Sequence, residues 1–126
     1  MKISRLGIYA IAVLALSLTA CAGRPPLYQW GGYDAMLYRS YKDPERVLEL
    51  RQGLELHVGK MEQSQQRIAP GLYAELGTLY MQSGDPARAA AMFAKERGAW
   101  PESRALMEAL IKSIENRSNT KVEAKP

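Results

Sequence analysis

One cysteine, one histidine and a scatter of carboxylates are the residues with which this chain could do chemistry. Cys21 is a thiol that follows directly on an apolar N-terminal run. His57 lies beside an apolar stripe, without the serine, cysteine or carboxylate pattern that would make it a catalytic base, so a structural or exposed role is expected. Metal binding needs several ligands, and no cluster of cysteine and histidine occurs. No glycine-rich phosphate loop follows a strand pattern. Glu45, Glu49 and the other carboxylates fit solvated helix faces rather than an acid–base pair. The chain therefore reads as non-catalytic, with no catalytic residue, no metal ligand and no cofactor.

The setting of Cys21 is more specific. Lys2 and Arg5 form a positive start, and Leu6 to Leu18 is an apolar run, softened at Gly7, Tyr9 and Ser17. About 13 apolar residues fall short of the roughly 20 that span a bilayer, which fits a signal peptide over residues 1–20. Leu18-Thr19-Ala20-Cys21 resembles the lipobox of bacterial lipoproteins. The resemblance implies that the Cys21 thiol receives a diacylglycerol and that a dedicated peptidase cleaves between Ala20 and Cys21. Several acyl chains, palmitate among them, would make a durable anchor, at about 0.8 kcal/mol per buried methylene. The alternatives are a buried thiol and an ordinary secretory signal with a chance cysteine. Ala22 stands where an aspartate commonly means inner-membrane retention in enterobacterial lipoproteins, so the resemblance implies the cell outer membrane.

Charge narrows the partner. Lys2 and Arg5 are two of 17 basic residues, so 15 remain after cleavage against 13 acidic ones. The signs are interleaved, whereas a phosphate-binding surface needs concentrated positive charge. No nucleic-acid partner is expected. A length of 126 residues gives room for one domain, and a single cysteine allows no intrachain disulfide.

The elements around these residues read as helices. The central stretch runs from Pro70 to Ser103. Pro70 suits a first helical position, with Leu72, Tyr73, Leu76, Leu79 and Tyr80 on one face. Gly84 ends that helix. Asp85 caps the next and Pro86 opens it, with Ala89, Ala90, Phe93, Ala94 and Trp100 turned inward. This spacing resembles the tetratricopeptide repeat, a helix–turn–helix unit of 34 residues. Tyr73, Leu76, Gly77, Tyr80, Gly84, Ala89, Phe93 and Pro101 fall on its signature, while Glu96 stands where the repeat prefers a small residue.

Before the hairpin, residues 21–32 form a tether. Pro25-Pro26 and Gly31-Gly32 forbid a continuous helix there, and its 11 residues after the cysteine extend at most about 35–40 Å. Leu27, Tyr28 and Trp30 are unusual for a spacer; they dock on the domain, rest at lipid headgroups or bind a partner. A short helix follows from Tyr33 to Tyr41, turned inward at Tyr33, Met36, Leu37 and Tyr41. Asp43-Pro44-Glu45 opens a longer one striped by Val47, Leu50, Leu54, Val58 and Met61. Gly53 and Gly59 weaken this helix by about 1 kcal/mol each, so tertiary packing holds it or close backbone contact uses them. Leu106, Met107, Leu110, Ile111 and Ile114 form a last amphipathic face, and residues 118–126 read as a disordered tail. The expectation is an all-α domain over residues 33–117, with four to five helices and hairpins of the repeat kind.

The segments YQWGGYDAMLYRSY, PGLYAELGTLY and WPES resemble a family of small bacterial lipoproteins of unknown function, often encoded beside a lipoprotein similar to the curli secretion channel. The resemblance implies a partner among outer-membrane lipoproteins. The function expected is a non-catalytic scaffold or assembly subunit of an outer-membrane lipoprotein complex. The rival is a module that binds peptidoglycan or a secreted substrate, for which Tyr28 and Trp30 are the suggestive pair.

Overall fold

A computed structural model describes residues 26–123. The signal peptide expected over residues 1–20, Ala20 and Cys21 lie outside them. The described residues form five α-helices: α1 (Tyr33–Lys42), α2 (Val47–Gln63), α3 (Leu72–Gln82), α4 (Pro86–Ala99) and α5 (Arg104–Glu123). Short 3-10 helices, Pro44–Arg46 and Pro101–Ser103, lead into α2 and α5. Each helix packs chiefly on its neighbours in the chain, α1 on α2, α2 on α3, α3 on α4 and α4 on α5. The fold is all-α, as the periodicity predicts.

Two turns that share an Asp-Pro start and an arginine at the fourth position close the hairpins. In Asp43-Pro44-Glu45-Arg46, the Asp43 carboxylate accepts the Glu45 N–H at 3.2 Å and Arg46 Nε at 3.3 Å. In Asp85-Pro86-Ala87-Arg88, the Asp85 carboxylate accepts the Arg88 N–H at 2.9 Å and also Arg88 Nε. The aspartate satisfies an N–H left free at the start of a helix, and proline fixes the first turn. In the second turn, hydrogen bonds from Arg88 hold the Asp85 carboxyl below the usual carboxylate range.

The core runs through α2, α3 and α4. Leu50, Leu54, Val58 and Met61 line α2, and Leu72, Tyr73, Leu76, Leu79 and Tyr80 line α3; α4 contributes Ala89 and Phe93, and α5 contributes Met107. Phe93 lies against Gly77: a Cβ there would meet its ring at 2.6 Å. The Leu-Gly pair thus lets the α3 backbone approach an aromatic ring on α4. Burying a phenylalanine contributes about 1.5–3 kcal/mol. Gly53 has a similar use, because Met36 of α1 fills the space a Cβ would need, while Gly59 faces open space.

Glu96 explains why α3 begins later than the proline suggests. The helix starts at Leu72, with Gly71 at φ 88° as its N-cap, so Pro70 lies in the preceding turn. Glu96 is fully buried and accepts the Gly71 N–H at 2.8 Å and the Ser103 hydroxyl at 3.3 Å. A carboxylate on α4 therefore meets the positive end of α3, where negative charge is favoured. The departure from the repeat pattern at Glu96 is a cross-brace between three elements.

Other expectations are corrected. Leu106 is exposed, and α5 instead packs through Met107, Leu110, Ile111 and Ile114. Tyr41 and Leu37 are exposed, and Ser40 is the buried residue of that turn of α1. Residues 118–123 continue α5 instead of starting a disordered tail. Once nucleated, a helix gains a hydrogen bond per added residue. Here Ser118 also donates to the Ile114 and Glu115 carbonyls, and Thr120 to that of Asn116.

Candidate partner-binding surface

The segment before α1 is packed onto the helices. The Tyr28 ring meets the buried Trp100 ring edge-on at 5.6 Å. The Arg67 guanidinium also lies over the Trp100 ring, at 4.1 Å, which adds cation–π attraction. The Gln29 carbonyl and His57 Nε2 are 2.9 Å apart, so the imidazole donates through that nitrogen. Gly31, at φ 59°, lies so close to the His57 ring that no side chain fits between them. Trp30 stacks on Tyr33 at 6.5 Å and remains 42 % exposed. His57 thus has a structural role, holding residues 29–31 against α2. Tyr28 and Trp30, paired in the sequence reading, pack on different partners.

The outer face of α1 has the opposite character. Asp34, Leu37, Tyr38 and Tyr41 recur at intervals of three, one and three, and all are exposed. Tyr38 is 61 % and Tyr41 84 % exposed. Lys42 Nζ lies 5.6 Å from the Tyr38 ring centre. Arrays of stacked helices end in units with polar outer faces. The first helix here presents leucine and tyrosine instead, residue types that supply large contact area at interfaces.

At the other end, an open cleft of about 740 Å³ lies between the turn joining α3 to α4 and the second half of α5. Met81, Pro86 and Ile114 give it apolar walls, and Arg117 supplies a positive charge.

A polar clasp holds α2, α3 and α4 together at their common end. The Tyr73 hydroxyl donates to Glu62 Oε1 at 2.8 Å, and Lys95 Nζ donates to the same oxygen at 2.7 Å. The Lys95 hydrogen bond holds the Glu62 carboxyl below its ordinary value, with the Tyr73 hydroxyl adding to it. Burial, reinforced by Glu62, pushes the Tyr73 hydroxyl far above the usual tyrosine range. On α3, burial raises the Glu75 carboxyl.

The structure brings the repeat-signature residues together. Tyr73, Leu76, Gly77, Tyr80, Ala89 and Phe93 are buried between α3 and α4; Gly84, at φ 76°, sits in the turn between them, and Pro101 opens the 3-10 helix before α5. They form the core of the hairpin, so the candidate binding residues lie elsewhere, on α1 and around the tether. Sequence reasoning missed the Tyr38 and Tyr41 stripe because it assigned Tyr41 to the core. The spacing of Asp34, Leu37, Tyr38 and Tyr41 groups them on one face without saying that the face is exposed. Among the described residues, no group of three or more His, Cys, Asp or Glu could hold a metal ion. No described helix is long and apolar enough to cross a membrane.

A family model described as a domain of unknown function, DUF4810, matches residues 27–110, from the segment docked before α1 into the first half of α5. No curated protein and no solved structure matches the chain.

Proposed function

The chain belongs to the DUF4810 family of unknown function, and from that premise we propose that it is a lipid-anchored, non-catalytic scaffold or assembly subunit of an outer-membrane lipoprotein complex. The anchor rests on the sequence Leu18-Thr19-Ala20-Cys21 behind its apolar run. The observation that carries the scaffold reading is the exposed Leu37, Tyr38 and Tyr41 stripe on α1. An end helix with an aromatic outer face leaves apolar area in water that a protein partner would cover. The partner is another outer-membrane lipoprotein, consistent with the resemblance to lipoproteins often encoded beside one similar to the curli secretion channel. The cleft between α3, α4 and α5 offers a second, groove-like contact for a helix or an extended peptide.

The test is co-purification from native membranes after crosslinking. Tagged wild-type protein is compared with Cys21→Ala and with the double variant Tyr38→Ala/Tyr41→Ala. The reading expects a stoichiometric lipoprotein partner, reduced in Cys21→Ala and lost in the tyrosine variant with helical content unchanged. Recovery of cell-wall fragments alone, or a partner that the tyrosine variant retains in full, refutes it.

A further inference from the structure

We infer that the face carrying Pro26, Leu27 and Trp30 is the surface that the domain lays against a phospholipid bilayer. The inference rests on the proposed lipid attachment at Cys21. Once residues 28 and 29 are docked, only a short length of chain is left free. Tyr28 is held on Trp100 and the Gln29 carbonyl on His57. Only the chain from Cys21 to Tyr28 then separates the anchor from the folded surface, and those seven peptide units reach at most about 25 Å.

Some of that reach is used within the headgroup layer, which adds roughly 5–8 Å on each side of the hydrocarbon core. What remains is short beside α5, whose 20 residues extend about 30 Å. A domain on so short a lead cannot turn an arbitrary face to the membrane. It must present the one where the lead emerges.

That face has the chemistry of a membrane interface. Leu27 is 86 % exposed. Trp30 is stacked on Tyr33 with its remaining surface open. Beside Leu27 is a shallow hollow of about 400 Å³ lined by Leu27, Tyr28, Met61 and Arg67 among others, and a separate one borders Trp30, Tyr33 and Asp34. Rings with one apolar and one polar side concentrate where acyl chains meet headgroups, and arginine there can meet phosphate. Without docking, the whole tether would reach about 35–40 Å and allow any orientation. The contacts of Tyr28 and His57 therefore set which way the domain faces.

Trp30 and Trp100 are the only tryptophans, so fluorescence reads this face directly. Protein extracted from native membranes is reconstituted into phosphatidylethanolamine–phosphatidylglycerol vesicles, with and without acyl chains brominated near the glycerol end. Mass spectrometry establishes the modification of Cys21 in the same sample. The expected result is quenching of the wild-type signal, most of it lost in Trp30→Phe, with Trp30 shielded from aqueous iodide only in the presence of vesicles. Lipid on Cys21 and vesicle-bound protein, with Trp30 unquenched and open to iodide, overturns the membrane-facing surface and leaves the anchor intact. An unmodified Cys21 overturns the anchor itself.

Discussion

Three helical glycines give a graded test of how closely α3 and α4 approach. Alanine in place of glycine inside a helix gains about 0.8–1.0 kcal/mol from backbone propensity. At Gly59 an added Cβ meets nothing within 4 Å, so Gly59→Ala is expected to stabilise by about that amount. At Gly77 the same Cβ would lie 2.6 Å from Cε1 and 2.8 Å from Cδ1 of Phe93. A buried aromatic ring cannot bend out of the way, and overpacking costs about 1–3 kcal/mol. Gly77→Ala should therefore lose up to about 2 kcal/mol net. The difference between the two variants cancels the propensity contribution and isolates the ring contact, about 1–3 kcal/mol. Urea unfolding measures it, and thermal melts should separate the variants by about 4–8 °C per kcal/mol. Phe93→Leu in the Gly77→Ala background should show favourable coupling in a double-mutant cycle. Gly53→Ala should fall between the two, because its neighbour is the flexible Met36 side chain. Equal stability of Gly59→Ala and Gly77→Ala would refute the argument that the glycine is there to admit Phe93.

Three further outcomes are expected. Glu96→Ala leaves the Gly71 N–H without its acceptor and opens a cavity where a fully buried side chain stood, for a loss of about 2–4 kcal/mol in denaturant unfolding; Glu96→Gln keeps an acceptor and should retain most of the stability. The carboxyl of Glu62 is held below its ordinary 4.5 by Lys95, so the clasp's contribution is complete above that pH and fades as pH falls through the lower folded value. As the pair is partly exposed, the gap between wild type and Glu62→Gln should be only about 0.2–1 kcal/mol at neutral pH and close under acid. His57→Ala removes the bond to the Gln29 carbonyl; amide exchange near Trp30 and Tyr33 should accelerate while the core amides of α3 stay protected.

Much of the architecture was legible because it is local. The stripe of Leu50, Leu54, Val58 and Met61, the Asp85 cap and the Gly84 turn follow from spacing and backbone chemistry, and all occupy their expected places. Periodicity states which residues share a face but not which of two faces meets a neighbour. Spacing alone thus groups Tyr41 and Leu106 with inward residues, and both lie outward. Contacts between distant segments carry no local signal. Glu96 stands out in the repeat pattern, yet its partner is 25 residues away; the Gln29–His57 contact spans 28 residues. The candidate surface was the least legible part, since Tyr38 and Tyr41 differ from core tyrosines only by what does not pack on them.

The chain-neighbour packing of the helices also bears on how the protein folds. Structure confined to adjacent segments closes short loops and forms quickly, whereas distant segments must wait for their targets to exist. The site that receives Tyr28 needs Trp100, at the end of α4, and Arg67, in the loop before α3, to be in place. The tether is then among the last parts to settle. A half-made molecule would keep its full lead, and only a finished one would draw itself in.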